Sequence, residues 1–378
     1  MGSRRHKKIT RREFLQESAW LAAGACATIA GGEAALSYLM TEPRMAQAST
    51  LPPVTYPKLP GIKIQPPEKG CYFGIRQVIW WMPGNSAAEK MNYALDQLEK
   101  KLGVLPHHFV IYEIPLTWGF PVQTCSAMAK RKVKPFVYIN MFSKSLEQAK
   151  NVTSEFDMQN LPKTLLKLED IAGGVYDQEI TKYAQGAKQY GEQHGGFFIT
   201  TMEEMNGRSW PWAQHPKYIQ GFRKIWDIFD KQGANIYATW VWEPICFQPN
   251  VGKDDPERYY PGDRYVDWIG LSGFGIDQYP HYQGPFENIV GITFDAMKKN
   301  HPNKPIFQSE SGKTRSLLQA EWIKNAFDYM KKTPEFKGTS VFDNITYMST
   351  VYHDHTLNDE SWNTLKHILT DPYFITAK

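Results

Sequence analysis

From residue 71 to the end of the chain, short runs of apolar, β-branched and aromatic residues alternate with longer segments whose apolar residues recur at helical spacing. The short runs predict eight strands, at residues 72–80, 108–114, 133–139, 197–203, 236–242, 266–272, 305–309 and 345–351. The longer segments predict helices at residues 87–102, 178–193, 216–231, 285–300, 317–332 and 361–369. The pattern leaves the helices after the second and fifth strands undefined.

This alternation predicts the fold class. Strands that are apolar along most of their length are typical of parallel sheets covered by helices on both faces. Eight such strand and helix units in about 310 residues predict a single α/β domain, a (β/α)8 TIM barrel, with a doubly wound sheet as the second choice. No repeat of fixed period and no second domain are seen in the sequence.

The first 48 residues have the pattern of an export signal. Six basic residues precede an apolar run interrupted only by Glu33, and the twin arginines Arg11 and Arg12 are followed by Phe14 and Leu15. Small residues before Ser49 predict cleavage there, with an uncleaved membrane anchor and a lipoprotein leader on Cys26 as alternatives. We therefore expect a periplasmic or secreted protein that uses the twin-arginine (Tat) translocase as a partner during export.

Composition and charge narrow the picture further. Six prolines between residues 50 and 70 predict an extended linker at 49–70, which leaves residues 71–378 as the folded domain. Hydrophobic residues make up 42% of the chain, enough for a sizeable core. Without the leader, 36 basic and 35 acidic residues remain, so we predict no nucleic-acid partner and expect a monomer.

Other chemistries find little support in the sequence. The cysteines beyond the leader, Cys71, Cys125 and Cys246, are odd in number and lack metal-ligand spacing, and the His353-Asp354-His355 run lacks a third spaced ligand. The Ser311–Thr314 run lacks the first glycine of a phosphate loop, and no nucleophile elbow or zinc-protease motif is present. We therefore predict neither a metal nor a cofactor.

Two acidic residues close predicted barrel strands. Glu204 follows the fourth strand and is trailed by tryptophans, and Glu310 follows the seventh strand. Active sites of such barrels lie at the carboxyl ends of the strands, where strands four and seven meet across the mouth. Two carboxylates that flank one bond are what glycosidic cleavage requires, and a separation of roughly 5 to 5.5 Å gives retention of configuration.

Several motifs together resemble glycoside hydrolase family 26, the family of many β-mannanases and some mixed-linkage glucanases. They are LEKKLG at 98–103, GVYDQEI at 174–180, EMNG at 204–207, YYPGDRYVDWIG at 259–270 and DPYF at 371–374. The resemblance covers nearly the whole chain after the leader. It implies a retaining mechanism with Glu204 as the acid/base and Glu310 as the nucleophile.

The chain departs from the family pattern around these carboxylates. Glu203 stands where the family has histidine, Ser209 where it has tryptophan, Phe274 where a tyrosine holds the nucleophile, and Glu243 where a small polar residue is common. Tyr279 is predicted to substitute for the missing tyrosine. The residues predicted to contact the substrate are Glu203, Asn206, Trp210, Trp212, Trp242, Glu243, Phe274 and Tyr279.

The sequence therefore predicts a retaining, endo-acting glycoside hydrolase that binds a β-linked polysaccharide or oligosaccharide, with β-mannan or β-glucan as the default. Two alternatives stay open: an exopolysaccharide-processing hydrolase or transglycosylase, and a glycan-binding barrel without catalysis. The additional carboxylates Glu203 and Glu243 suit a cationic amino sugar, or they form ion pairs with Arg208, Lys253 or Arg264 and do not contact substrate.

Overall fold

The computed structural model describes residues 56–79, 82–112, 116, 119–141, 166–208, 210–246, 254–279, 282–348 and 351–378. The predicted export signal and residues 49–55 of the predicted linker lie outside the described residues, as do Ser209 and Lys253. No helix among the described residues has the length and apolar character that a membrane span requires.

Eight parallel strands close into a barrel. They are β1 (Cys71–Arg76), β2 (His108–Ile111), β3 (Lys134–Ile139), β4 (Phe197–Thr201), β5 (Ala238–Trp242), β6 (Trp268–Gly275), β7 (Ile306–Lys313) and β8 (Phe336–Phe342). They lie in sequence order, and β1 also pairs with β8, which closes the ring. The predicted (β/α)8 TIM barrel is confirmed.

The helices surround the barrel. They are α1 (Ala87–Leu102), α2 (Val122–Lys130), α3 (Leu168–Gly173), α4 (Asp177–His194), α5 (Tyr218–Gln232), α6 (Phe286–Asn300), α7 (Gln319–Lys332) and α8 (Asp359–Ile368). After β5 the described residues form two short 3-10 turns, Pro256–Tyr259 and Asp263–Tyr265, in place of an α-helix. Among the described residues, these two turns stand where the sequence pattern left the helix after the fifth strand undefined.

The predicted eighth strand was wrong. Residues 345–348 form β9 (Ile345–Met348), which pairs with β10 (Val351–Asp354) in a separate antiparallel hairpin, while residues 336–342 complete the barrel. The β8 segment FKGTSVF has few large apolar residues. Its Ser340 hydroxyl lies inside the barrel, 2.9 Å from Nε2 of His108, where a buried strand would ordinarily place an apolar side chain. A last short strand, β11 (Phe374–Ile375), extends the sheet beside β1.

The amino-terminal end of the barrel is closed by the segment 56–70, which we call the floor segment. The Ile64 amide donates to Thr239 Oγ1 at 2.8 Å, and its side chain joins the apolar cluster inside the barrel with Phe198 and Phe307. At Gly61 a Cβ would lie 2.5 Å from the carbonyl oxygen of Ile236, so only glycine permits this approach. The described part of the predicted linker contains turns at residues 60–62 and 68–70 and packs against the barrel.

Candidate active site

The turn after β4 holds Glu204 in a backbone conformation that side chains rarely adopt. Met202 and Glu204 have φ values of 51° and 55°, in the left-handed region. The Glu204 amide donates to the carbonyl oxygen of Glu243 at 2.7 Å, which fixes this turn to the end of β5. Such strain persists only where the surroundings enforce it, and it is concentrated at functional sites.

Ser272 on β6 connects the two predicted catalytic carboxylates. Its hydroxyl donates to Oε1 of Glu204 at 2.6 Å, and in the sheet its backbone stands directly opposite Glu310 on β7. Neighbouring strands lie roughly 4.8 Å apart. Ser272 therefore contacts Glu204 and is the sheet neighbour of Glu310, which places both residues beside β6 at the barrel mouth.

Glu310 is almost fully buried, at 5% exposure, and it forms an ion pair with Arg76 at the end of β1. The Arg76 guanidinium lies between two rings, 4.0 Å from the centroid of Tyr112 and 4.6 Å from that of Phe342. A planar guanidinium stacked on aromatic rings is held in one orientation. Arg76 therefore fixes the position of the Glu310 carboxylate.

Glu203 points into the barrel and is 2% exposed. It accepts a short hydrogen bond from the Tyr112 hydroxyl, and Trp212 Nε1 donates to its backbone carbonyl at 2.7 Å. Burial raises the pKa of Glu203 to about 8, against the opposing effect of the Tyr112 hydrogen bond. At neutral pH this side chain is mainly a neutral carboxylic acid.

Glu243, which follows β5, is a second buried acid at 1% exposure. It accepts a hydrogen bond from the Tyr138 hydroxyl at 2.6 Å. Burial raises its pKa well above the usual range, and the negative charge of Glu310 raises it further. Among the described residues, neither Glu243 nor Glu203 forms an ion pair. Arg264, one of the proposed partners, lies 3.6 Å from Asp230 instead.

Asn206 has a structural position behind Glu204. Its side-chain amide donates to the carbonyl oxygens of Ile245 and Asp254 at 3.0 and 3.2 Å, and its oxygen accepts from the Ile245 amide at 2.9 Å. These bonds tie the loop after β4 to the loop after β5. Within the described residues the Asn206 amide is thus committed to backbone groups, although substrate contact was predicted.

The predicted tryptophans differ in position. Trp210 is half-buried and stacks on the buried Trp212, with ring centroids 4.9 Å apart and an interplanar angle of 8°. Trp242 is fully buried in the outer core between β5 and the helices, where its ring meets Tyr260 edge to face. Along β5 it alternates with inward-facing Val241, so its side chain points away from the cleft. Of the three, Trp210 retains an accessible face.

Phe274 and Tyr279 lie on the wall above Glu310. Phe274 follows along β6 and stands opposite Gly312 on β7, and its ring contacts His355 at 5.2 Å between centroids. Tyr279 lies on the loop after β6, with its ring 5.5 Å from that of His353. The residue observed to hold Glu310 is Arg76, a position that sequence reasoning missed because it carried no acidic or aromatic signal.

The arrangement as a whole is a ring of polar side chains at the carboxyl ends of the strands. Sequence reasoning named Glu203, Glu204, Glu243 and Glu310 but missed the groups that hold them, which are Arg76, Tyr112, Tyr138 and Ser272. No group of three metal-ligating residues occurs among the described residues.

Comparison with known proteins decides the family. The model of glycosyl hydrolase family 26 matches residues 141–361, more than half of the chain. This chain belongs to glycosyl hydrolase family 26. The predicted family is thereby confirmed, and with it the class of enzyme, glycoside hydrolase.

Relatives with curated names are similar over part of their length. The chain is 30% identical to Endoglucanase H of Acetivibrio thermocellus over 175 residues. This match covers 43% of this chain and 19% of that protein. It is 24% identical over 127 residues to the mannan endo-1,4-beta-mannosidase of Bacillus subtilis, covering 31% and 34%. A beta-1,3-xylanase of Alcaligenes sp. is 25% identical over 154 residues, covering 40% and 30%. The matched region thus spans 19 to 34% of the length of these three relatives.

Solved structures share the barrel. The catalytic domain of a family 26 endo-beta-1,4-mannanase from Bacillus sp. JAMB-750 superposes with a TM-score of 0.59 at 15% identity, covering 82% of this chain and 88% of that one. A family 26 β-mannanase from Bacteroides ovatus gives 0.54 at 14% identity, covering 82% and 91%. At these identities the likeness establishes the fold alone.

Proposed function

We propose that this family 26 member is a retaining, endo-acting glycosidase in which Glu204 is the acid/base and Glu310 the nucleophile. The observation that carries the proposal is the link through Ser272, which bonds to Glu204 and stands opposite Glu310 in the sheet. Ser272 contacts one of the two acids and adjoins the other, which supports a pair that acts on one glycosidic bond. Double displacement requires the two carboxyl groups to stand roughly 5 to 5.5 Å apart, and we propose this separation here.

The reaction follows from this geometry. Glu204, in its protonated form, donates its proton to the glycosidic oxygen while Glu310 attacks the anomeric carbon, so the bond to the leaving sugar breaks and a covalent glycosyl-enzyme forms. Glu204 then takes a proton from a water molecule, which attacks the same carbon and releases Glu310. Arg76 holds the attacking carboxylate in place and keeps it ionised while it waits for substrate.

We propose a β-linked polysaccharide as the substrate, with β-mannan or β-glucan as the default. The names of the relatives, an endoglucanase, a mannosidase and a xylanase, all describe endo-cleavage of β-linked backbones. The half-buried face of Trp210 beside the acid/base provides an apolar surface on which a sugar ring can stack. We also propose that the protein works outside the cytoplasm after Tat export.

Azide rescue tests both the mechanism and the assignments. Activity of Glu204→Ala on an aryl glycoside should be restored by azide, which attacks the glycosyl-enzyme and gives a β-glycosyl azide. Glu310→Ala should instead give the α-glycosyl azide, because azide then displaces the leaving group in a single step. Without azide, loss of the acid/base should slow polysaccharide cleavage by about 10²–10⁴-fold, and loss of the nucleophile should cost more.

The matched control is Glu169→Ala, which removes an exposed carboxylate of α3 that contacts His215. It should retain wild-type activity and form no glycosyl azide. Azide products of the same anomeric configuration from both variants would contradict the assignment. A wild-type protein that binds glycans but releases no reducing ends from any β-linked polysaccharide would favour the binding barrel without catalysis.

A further inference from the structure

Two buried acids beside the nucleophile lack the partners that buried carboxyl groups normally have. Glu203 and Glu243 are 2% and 1% exposed; the Tyr112 hydroxyl donates to the first and the hydroxyls of Tyr138 and Ser309 to the second, and neither carboxyl pairs with a cation among the described residues. Burial of a carboxyl without a cation is costly, and proteins usually avoid it by pairing. A neutral amide side chain would accept the hydrogen bond of either tyrosine hydroxyl at a lower desolvation cost than a carboxyl group. The presence of two acids therefore requires another explanation.

Further buried polar atoms at the same level also lack partners. Among the described residues, Oε1 of Glu243 and both side-chain polar atoms of Asn140 are buried and accept or donate no hydrogen bond. Asn140 follows β3 directly and is 1% exposed. Because side chains alternate along a strand, it shares the inward face with Tyr138 and lies one layer nearer the mouth. A ligand group that fits here must supply several donors.

We propose that Glu203, Glu243 and Asn140 form the binding site for a protonated amino group on the sugar whose anomeric carbon Glu310 attacks. An ammonium has three N–H donors and no acceptor. The unpartnered Oε1 of Glu243, the unpartnered amide oxygen of Asn140 and the buried carboxyl of Glu203 supply acceptors that match them. This inference rests on the proposed glycosidase function and names its substrate class, a β-linked polymer of 2-amino-2-deoxy sugars with free amines.

The position of the amine follows from the charges around Glu310. Tyr112 bonds to Glu203, and its ring lies 4.0 Å from the Arg76 guanidinium that pairs with Glu310. The Tyr138 ring lies 5.3 Å from that of Tyr112 and its hydroxyl bonds to Glu243, so both acids lie close to the attacking carboxylate. In a pyranose, C2 adjoins the anomeric carbon, and a C2 substituent is therefore the one nearest to these acids. An arriving cation favours the ionised carboxylate, which reverses the effect of burial on the pKa of Glu203. Burial raises the pKa of both acids when the cleft is empty, and the bound amine supplies the cation that each of them lacks.

A matched pair of oligosaccharides isolates the C2 substituent. The β-1,4-linked hexamer of glucosamine and cellohexaose differ only in carrying an amine or a hydroxyl at C2, and the N-acetylated hexamer removes the positive charge. Binding is measured by calorimetry at pH 7 on Glu204→Gln, which suppresses turnover and leaves the inferred site unchanged. We expect the glucosamine hexamer to bind at least about tenfold more tightly than either of the others.

Substitutions then test the acids themselves. In the same background, Glu203→Gln and Glu243→Gln should each remove most of the preference for the amine. Each variant should leave the affinity for cellohexaose within about threefold of its value, because that ligand carries no cation. Glu169→Gln, the matched control, removes a distant surface charge and should leave the ratio unchanged. The preference should also persist in 0.5 M salt, because buried pairs are weakly screened.

The outcomes separate this inference from the proposed function. Equal or tighter binding of cellohexaose or of the N-acetylated hexamer would overturn the inference, as would a preference that survives in both glutamine variants. Cleavage of neutral β-glucan or β-mannan by the wild type, with no preference for the amine, would overturn the inference and leave the glycosidase proposal standing. Tighter binding of the glucosamine hexamer without cleavage of any polymer would support the inference and overturn the proposed glycosidase activity.

Discussion

The two ends of the barrel interior differ in the chemistry of their side chains. The end that the floor segment closes is aromatic and apolar: the rings of Phe136, Phe198 and Phe307 lie 5.2 to 5.6 Å from one another. The end at the mouth contains an arginine, several glutamates and two tyrosines in one layer. Both ends are equally buried, so burial alone does not distinguish a packing layer from a chemical one.

The difference lies in how polar groups are satisfied. In the apolar layer the single imidazole of His108 enters because Gly74 leaves space for it, and its Nε2 lies 2.9 Å from the Ser340 hydroxyl. In the upper layer burial raises the pKa of Glu203 to about 8 and that of Glu243 well above its usual range, and polar atoms of Asn140 and Glu243 lack partners among the described residues. The apolar end supplies stability, and the polar end retains unsatisfied groups that a substrate can use.

Removal of Arg76 should have the largest effect, because it acts on both stability and chemistry. Arg76→Ala leaves the Glu310 carboxylate buried without its cation, which typically costs about 3–5 kcal/mol. We expect a lower free energy of unfolding in urea, together with a fall in kcat at temperatures where the variant is still folded. Arg76→Lys keeps the charge and loses the planar stacking on Tyr112. Full kcat in Arg76→Lys would show that charge alone positions the nucleophile.

Phe307→Ala tests the apolar end by the same measurements. This substitution leaves a cavity within a ring cluster and should lower the free energy of unfolding by about 3–5 kcal/mol. Because Phe307 lies below the polar layer, kcat and KM of the folded variant should stay near those of the wild type. A large loss of kcat at unchanged stability would contradict the division of the interior into two layers.

The last prediction concerns the pH dependence of stability. The pKa of Glu203 is raised in the folded protein from its usual 4.5 to about 8, so its contribution to stability is present below pH 4.5 and is lost as pH rises to 8. Glu203→Gln should therefore be increasingly stabilised relative to the wild type between those pH values, with a slope of at most about 1.4 kcal/mol per pH unit. Urea unfolding at pH 5, 6.5 and 8 measures this slope.

The buried histidines give the opposite slope and serve as the internal reference. Burial lowers the pKa of His355 from 6.5 to about 3 and that of His108 well below 6.5. Stability from these groups is present above pH 6.5 and is lost as pH falls, in both the wild type and Glu203→Gln. A stability difference between the two proteins that does not grow above pH 5 would mean that Glu203 is ionised in the folded state.

Much of the fold could be predicted because its signals are local. The helix at 87–102 coincides with the observed α1, since Ser86 caps its first turn and Gly103 ends it in the left-handed conformation. The eighth barrel strand was missed because Thr339 and Ser340 are polar although both are fully buried, so the segment lacks the apolar run of a buried strand. The floor segment was read as a linker because prolines indicate an extended chain but not the surface on which it packs.

The candidate site likewise contains residues that could be predicted from the sequence and residues that could not. The four glutamates could be named because they follow recognisable strands, whereas their partners could not. Arg76 and Glu310 are 234 residues apart, and only the closed ring brings them into contact. Trp242 was predicted to contact substrate, and a shift of one residue along β5 would be enough to turn its side chain toward the cleft. Side-chain direction at the end of a strand depends on register, which composition does not reveal.

The pairing of β1 with β8 makes catalytic competence a property of the finished chain. Loop closure over such a distance is entropically costly and comes late relative to local helix formation. A chain whose first strands have folded while β7 and β8 are still being synthesised holds Arg76 without Glu310, and therefore has no oriented nucleophile. The appearance of activity during synthesis or refolding would thus report the moment at which the ring closes.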